Sequence, residues 1–223
     1  LSVAHVAAGV QSAGVMGVAP SASLHFSTYN NSNGETNFPD HWAAATNAAS
    51  SAIVQNNSWG IDEQLDDVQT YISNNGFTTD TGLASVWSLY GFTANATSVS
   101  NYITALNNFQ NHGVIVYALS NTSSFTEADF QAALPELYSQ LSEAWITAVN
   151  IDKTGSSGSY SYSLKSAPCG ATAQYCLGGD GWQITTAANA NNTATNNYVN
   201  NYGTSFVAPQ ISGAIALLKN HFP

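Results

Sequence analysis

Short apolar runs alternate along the chain with segments whose apolar residues recur every three or four positions. The apolar runs predict buried β-strands, and the clearest are AIVQNNSWG (52–60), GVIVYALSN (113–121) and EAWITAVNID (143–152). The second run has no polar alternation, which is typical of a parallel strand covered on both faces. A fourth stretch, SASLHFSTY (21–29), alternates as a strand with one solvated face would.

The segments with helical periodicity lie between these runs. A helix is predicted behind Pro39, with Asp40 near its start, and another closes the chain from about 206 to 221. Residues 61–111 are rich in helical patterns and predict an insertion within a single domain that covers 1–223. The polar stretch 155–166 predicts a loop or a sheet edge. Alternating strands and helices predict an α/β fold, with a mostly parallel central sheet and helices on both faces.

The charge balance excludes several classes of partner. Only 7% of the residues are charged, three lysines and no arginine supply the positive charge, and the formal net charge is −10. Nucleic acids and anionic lipids bind to clusters of lysine and arginine, so we predict neither as a partner. No apolar run approaches the roughly 20 residues of a membrane span. A surface with so few tryptic sites favours an extracellular location.

Cys169 and Cys176 bracket the short segment CGATAQYC. A metal or redox pair is one interpretation, but two cysteines at this spacing without a nearby histidine make a poor zinc site. We favour a small disulfide loop formed in an oxidising compartment. Closing so short a loop would stabilise the fold by ~2 kcal/mol.

Two polar residues stand where strands and helices are predicted to end or begin. Ser205 lies in Gly203-Thr204-Ser205, at the start of the closing helix, where a serine commonly caps the helix. The same place would also put a nucleophile and a developing oxyanion near the positive end of the helix dipole. Asn121 ends the run GVIVYALSN and is either a turn former or a side-chain amide that holds an oxyanion.

The triplet Ser58-Trp59-Gly60 ends another predicted strand. It is either a strand end with an anchoring tryptophan or an exposed edge that pairs with an extended peptide, with Trp59 shaping an apolar pocket. In parallel α/β sheets, sites lie beyond the carboxyl ends of the strands. We therefore expect this triplet, Asn121 and Ser205 at one edge of the sheet.

Taken in order along the chain, these motifs resemble the subtilisin-like serine proteases, or subtilases. The resemblance covers HVAAG (5–9), GVMGVAPSASL (14–24), IVQNNSWG (53–60), HGVIVYALSN (112–121) and GTSFVAPQISGAIALL (203–218). It implies a three-layer fold and an endopeptidase scaffold, with Ser205 as the nucleophile, Asn121 in the oxyanion hole and Ser58-Trp59-Gly60 on the substrate-pairing strand. The strand after the family's histidine helix is expected at GVMGVAPSASL.

Two further stretches resemble the subtilases that are passengers of bacterial autotransporters. They are ALPELYSQLSEAWITAVNID (133–152) and CGATAQYCL (169–177). In that subgroup Cys169 and Cys176 would form a small disulfide loop, and the protein would be extracellular or on the bacterial cell surface.

The catalytic histidine motif of the family is altered here. If His5-Val6-Ala7 matches the second His-Val-Ala of the family helix, then Ser2 stands at the catalytic histidine position and His5 is structural. The alternative makes His5 itself the base, but then only eight residues separate it from GVMGVAP. We favour the first alignment.

The orienting aspartate also has no match, because in the family it follows a first sheet strand upstream of the histidine helix. The chain then belongs to a split or cleaved protease, or it is a degenerate subtilase, or residues 1–4 are wrongly identified. We expect that a partner segment or chain fills the slot of that strand, since its absence would leave the neighbouring strands unpaired.

Two functions follow from the resemblance. The first is an extracellular serine endopeptidase that acts on extended peptides through a Ser205 acyl-enzyme. The second is a non-catalytic surface, assembly or binding protein on the same scaffold. No organic cofactor is expected; calcium is plausible for the family, but the short turn GVQSAG (9–14) leaves little room for a calcium loop, and no metal ligands are predicted.

Overall fold

The core of the molecule is a parallel sheet whose strands lead directly to the predicted chemical residues. The computed structural model describes residues 2–10, 15–27, 38–187 and 198–222. Within these residues the sheet contains β1 (Val54–Asn57), β2 (Val114–Ala118), the long β3 (Trp145–Ser156) and β5 (Cys176–Gly179), all parallel where they pair. The far half of β3 forms an antiparallel hairpin with β4 (Ser159–Leu164), so the polar stretch 155–166 lies at a sheet edge, as predicted.

A second, two-stranded antiparallel sheet joins β6 (Ile184–Ala187) to β7 (Tyr198–Asn201). The helices are α1 (Ser2–Ala8), α2 (Phe38–Ala48), α3 (Leu65–Asn74), α4 (Thr79–Leu89), α5 (Ala96–Gln110), the short α6 (Leu134–Leu137) and α7 (Ala208–His221). Three of them, α3 to α5, fall within 61–111, which therefore has the predicted helical content. The closing helix starts two residues later than predicted, because a 3-10 turn, Thr204–Phe206, precedes it.

Strand β2 shows why the sheet carries helices on both faces. Ile115 and Tyr117 pack into the large core formed with α2, α4 and α5, whereas Val116 and Ala118 pack on the other face against Val207 at the start of α7. A strand buried on both faces needs apolar residues at consecutive positions, which accounts for the run without polar alternation. The predicted three-layer α/β architecture is confirmed.

The larger core is unusually aromatic. Trp42 of α2 lies 5.2 Å from Trp87 and 5.4 Å from Tyr102, measured between ring centroids. Tyr102 and Tyr117 share a buried hydroxyl–hydroxyl hydrogen bond of 2.7 Å, which satisfies both groups away from water. Burial raises the pKa of both hydroxyls well above their ordinary value. This cluster anchors α2, α4 and α5 to one face of the sheet.

The strand predicted at 21–29, and the one expected at 14–24, are not formed in the described residues. Residues 22–27 have no regular structure, and positions 14, 28 and 29 lie outside the described part of the chain. The backbone of 17–19 instead donates hydrogen bonds to carbonyl groups of α1 and of Gly9. A strand needs a neighbour for its ladder, and no strand of the described residues pairs with this segment.

Among the described residues, strand β1 pairs with β2 alone, so its other edge is open. The predicted disulfide is present, since Cys169 and Cys176 are bonded.

Candidate active site

Two parallel strands deliver the predicted residues to one edge of the sheet. Strand β1 ends at Asn57 and continues into Ser58, Trp59 and Gly60, while β2 ends at Ala118 and continues to Asn121. Since β1 and β2 are parallel neighbours, both continuations leave the sheet on the same side. The 3-10 turn that carries Ser205 contacts this edge through side-chain and backbone hydrogen bonds.

Ser205 is held against the end of β1. Its Oγ donates a hydrogen bond of 3.3 Å to the carbonyl oxygen of Ser58, and the Oγ of Ser58 donates one of 3.2 Å to the carbonyl oxygen of Ser205. The capping alternative for Ser205 is wrong, because the N-cap of α7 is Val207 and no side chain bonds there. Ser205 is half-buried and reaches solvent.

Asn121 is tied to the same turn through its amide oxygen. Its Oδ1 accepts hydrogen bonds from the backbone N–H of Thr204 at 2.9 Å and from the Thr204 hydroxyl at 3.2 Å. A backbone N–H can only donate, so the amide oxygen must face Thr204 and the amide nitrogen must face the other way. Within the described residues, neither Nδ2 of Asn121 nor the backbone N–H of Ser205 donates a hydrogen bond. These two donors are available to a ligand.

Thr204 completes the link between the turn and β2. Its hydroxyl also lies 2.5 Å from the carbonyl oxygen of Leu119, and the residue is buried. Gly203 before it has φ +125°, and a Cβ there would lie 2.7 Å from Oδ1 of Asn121. The Gly-Thr pair thus sets the distance between Asn121 and Ser205, because a side chain at 203 would displace the asparagine.

A cavity of about 210 Å³ opens beside these groups. Its walls are formed by the two strand continuations, the turn and one further acid, and the lining residues are Trp59, Gly60, Ile61, Asp62, Ala118, Leu119, Ser120, Asn121, Asp129, Thr204 and Ser205. The structure therefore brings together Trp59, Gly60, Asn121 and Ser205, as the sequence predicted for the strand ends.

Two carboxylates in this cavity were not predicted from the sequence. Asp129 is buried, and its oxygens accept backbone N–H groups of Ser120 at 2.7 Å and of Ala132 at 3.0 Å. Burial raises the pKa of Asp129 from 3.8 to about 6, against the lowering effect of those hydrogen bonds. Asp62, which is exposed, accepts a 2.7 Å hydrogen bond from the Ser120 hydroxyl. Their places, four residues after Ser58 and eight after Asn121, match no sequence motif, and only the chain trace shows that they meet.

His5 lies on α1, next to α7, and its ring faces other groups. Its centroid is 6.0 Å from that of Tyr198, and its ring packs against Gly9. Within the described residues, no histidine is hydrogen-bonded to Ser205. Ser2 begins the same helix. The described part of the chain also has no group of three or more His, Cys, Asp and Glu arranged to hold a metal.

The sequence as a whole matches a known family. A profile of the subtilase family matches residues 1–223. The chain therefore belongs to the subtilase family.

Individual relatives agree with this assignment. An extracellular serine protease of Serratia marcescens is 28% identical over 130 residues, which are 50% of this chain and 12% of that protein. Among solved structures, a psychrophilic protease, S41, matches with a TM-score of 0.63 at 17% identity, covering 100% of this chain and 63% of that one. Fervidolysin of Fervidobacterium pennivorans, a keratinolytic enzyme related to subtilisin, matches with a TM-score of 0.61 at 21% identity, covering 100% of this chain and 29% of that one.

The chain spans 12% of the length of that Serratia protein and less than two thirds of the two solved structures. At these identities the structural matches show the fold alone.

No helix in the described parts of the chain has both the length and the apolar character needed to cross a bilayer.

Proposed function

We propose that this protein is a subtilisin-like serine endopeptidase in which Ser205 attacks the scissile carbonyl and forms an acyl-enzyme. The observation that carries the proposal is the orientation of Asn121. Its oxygen is bound to Thr204, so its Nδ2 is left as a donor, and Asn121 and Ser205 line the same cavity. We propose that this Nδ2 and the backbone N–H of Ser205 act as a pair of donors. Such a pair stabilises the oxyanion of a tetrahedral intermediate, and one donor is worth ~100-fold or more in rate.

The substrate in this proposal is an extended peptide that pairs with the backbone of Ser58-Trp59-Gly60. The carbonyl of Ser58 at present accepts the Ser205 hydroxyl, which keeps the nucleophile at the end of this strand. A bound peptide would run alongside the triplet and present its carbonyl to the two donors. Trp59 would form an apolar wall for one substrate side chain.

The base and its carboxylate come, we propose, from a segment that pairs with the open side of β1. His5 is directed at Tyr198 and Gly9, so it does not fill this role. A serine hydroxyl needs a base to become a nucleophile, and without one only a residual ~1000-fold acceleration from the oxyanion hole and binding is expected. A segment of the same polypeptide or a second chain that carries both groups would restore the site.

We also propose an extracellular location, on the bacterial cell surface as part of an autotransporter passenger. The disulfide, the low content of lysine and the similarity to an extracellular protease of Serratia marcescens support it. Disulfides persist in oxidising compartments, which agrees with export.

Labelling with a fluorophosphonate tests the catalytic proposal, because this reagent reacts only with an activated serine. We expect the native preparation, with any chain that co-purifies, to be labelled, Ser205→Ala to be unlabelled, and His5→Gln to keep its labelling. Loss of labelling in His5→Gln would identify His5 as the base. A folded native sample that resists labelling would overturn the proposal.

One observation favours a second candidate, a non-catalytic binding or assembly protein. The Ser205 hydroxyl donates to a backbone carbonyl, and in the described residues no histidine accepts its proton. Under this alternative the strand-end groove would bind peptides without cleaving them. Peptide binding to a native sample that resists fluorophosphonate would support it.

A further inference from the structure

We propose that the cavity beside Ser205 binds the cationic side chain of lysine or arginine, so that the proposed peptidase cleaves after a basic residue. This inference rests on the proposed function for its catalytic consequence, but the binding itself does not require catalysis. The cavity is defined independently of its charge, because Ser205, Asn121 and Trp59 line it. It is thus the space next to the carbonyl that Ser205 would attack.

The size of the cavity fits one side chain. Sites that enclose whole small molecules usually have volumes of roughly 300–1,000 Å³. This cavity has a volume of about 210 Å³ and opens to solvent at the end of the strand that would pair with substrate. A side chain branching from a paired peptide would enter it, whereas a separate ligand would be only partly enclosed.

The charge of the cavity comes from Asp62 and Asp129. Ser120 is hydrogen-bonded to both of them. The backbone N–H of Ser120 donates to Asp129, and its hydroxyl donates to Asp62. Ser120 lies directly before Asn121, so both carboxylates are tied to the strand end that carries the oxyanion donor. Both carboxylates are therefore held close to the residue that would stabilise the oxyanion.

Among the residues that the structure describes, no basic side chain lines this cavity. The three lysines of the chain lie elsewhere: Lys165 pairs with Asp152, Lys153 lies over the ring of Tyr160, and Lys219 is in the last turn of α7. A buried carboxylate without a cation is costly in a low-dielectric environment. The pKa of Asp129 is raised to about 6, so at neutral pH its carboxylate is charged and would gain from a nearby cation.

Trp59 adds a second feature that suits a cation with a hydrophobic stem. Indole faces attract ammonium and guanidinium groups, and lysine and arginine bury their methylene chains against apolar surfaces. An apolar wall with carboxylates beyond it therefore complements both parts of these side chains. An aliphatic or aromatic substrate side chain would instead have to desolvate the exposed carboxylate of Asp62 without replacing its hydration.

Benzamidinium binding to Ser205→Ala, measured by calorimetry, tests the pocket without any chemistry. A hydrogen bond to a charged group changes affinity by about tenfold or more. We expect Asp62→Asn and Asp129→Asn each to weaken binding of benzamidinium about tenfold. Neutral benzamide, of nearly the same shape, should bind weakly and equally to all variants.

Asp66→Asn provides the matched control, because Asp66 is an exposed acid on α3 that does not line the cavity. It removes the same charge from a chain of net charge −10, so it measures the general attraction of the protein for cations. Equal binding to the Asp62→Asn and Asp66→Asn variants would overturn the proposal. If Asp129→Asn does not fold, as judged by circular dichroism, Asp62→Asn decides alone.

The two proposals fail in different ways. Fluorophosphonate labelling of the native protein together with no benzamidinium binding would reject the basic pocket and keep the peptidase. Benzamidinium binding that depends on Asp62, without labelling, would keep the pocket and reject the peptidase. For a labelled protein, peptides with lysine before the scissile bond should be cut at least tenfold faster than those with norleucine.

Discussion

The edge of the sheet that carries Ser205 and the described residues of 2–10 and 15–27 differ in how their side chains are held. At the sheet edge, Thr204 is buried, and it bonds both Leu119 and Asn121. In the other region, Val10 is 74% exposed and Phe26 is 69% exposed. The first region is fixed by the chain's own hydrogen bonds and packing, whereas Val10 and Phe26 in the second present their apolar side chains to solvent.

This difference separates the parts of the proposed site that this chain positions by itself from the part that it does not. The nucleophile, the oxyanion donors and the cavity belong to the well-packed region, so they need no further segment for their positions. The base is proposed to come from a segment beside β1, which among the described residues pairs on one side only. Binding is therefore expected from this chain by itself, while full reactivity depends on what covers that side.

The strongest contrast should come from two phenylalanines. Phe130 is fully buried in the core, and Phe130→Ala should lower the free energy of unfolding by about 3–5 kcal/mol through the cavity it leaves. Phe26→Ala should change it by no more than about 0.5 kcal/mol. Urea unfolding of both variants checks the pair, and a loss of about 2 kcal/mol or more for Phe26→Ala would show that segment 15–27 is packed.

Asp129 makes the free energy of unfolding depend on pH. Its pKa in the folded protein, about 6, lies above its ordinary value of 3.8. The folded form therefore holds the proton more tightly, and this stabilisation is present below pH 3.8 and is lost as the pH rises through 6. The expected loss is about 3 kcal/mol in the free energy of unfolding.

Urea unfolding at pH 4 and pH 7.5 measures this change. The other titratable groups that act electrostatically with Asp129 are Asp62 and Tyr117, and the pKa of Tyr117 is far above this range. Asp129→Asn should flatten the dependence, whereas Asp66→Asn should preserve it. An unchanged slope in the Asp129 variant would contradict the assignment.

Gly203 tests whether the spacing of Asn121 and Ser205 matters. Gly203→Ala places a Cβ 2.7 Å from Oδ1 of Asn121 and should displace its amide, lowering the rate of fluorophosphonate labelling by ~100-fold. Gly91→Ala is the matched control, since Gly91 also has positive φ, +82°, but nothing lies within 4 Å of its Cβ position. Equal labelling of both variants would show that the turn tolerates the side chain.

The smallest expected effect concerns the disulfide. Cys169→Ser with Cys176→Ser should lower the free energy of unfolding by about 2 kcal/mol, because the closed loop is short. No residue of the loop lines the cavity, so benzamidinium binding should be unchanged. A change in binding would show that this loop positions the site.

Much of the fold followed from local patterns. Val116 and Tyr117 lie in a run without polar alternation, which predicted a strand covered on both faces. Within the predicted helical segment 61–111, Val99, Tyr102 and Leu106 recur at three- and four-residue intervals, and all three are buried. The strand predicted from the alternation in 21–29 is wrong for residues 21–27, because alternation predicts a strand only where another strand pairs with it.

The candidate site also has residues that the sequence predicted and residues that only the structure revealed. Ser205 and Asn121 stand in motifs specific enough to be found in the sequence, and their order along the chain indicated the family. Asp62 and Asp129 have no such motif, and their meeting depends on the hydrogen bonds of Ser120. The direction of the Asn121 amide depends in turn on Thr204, which lies 83 residues further along the chain.

By itself, the sequence determined the class of fold, the family and the two residues proposed to carry the chemistry, since apolar periodicity and short motifs are local properties. Only the tertiary structure decided that Asn121 turns its nitrogen away from Thr204, that His5 faces Tyr198, and that two acids share a cavity with Ser205. These facts arise from contacts between residues far apart in the chain, and no local pattern contains them.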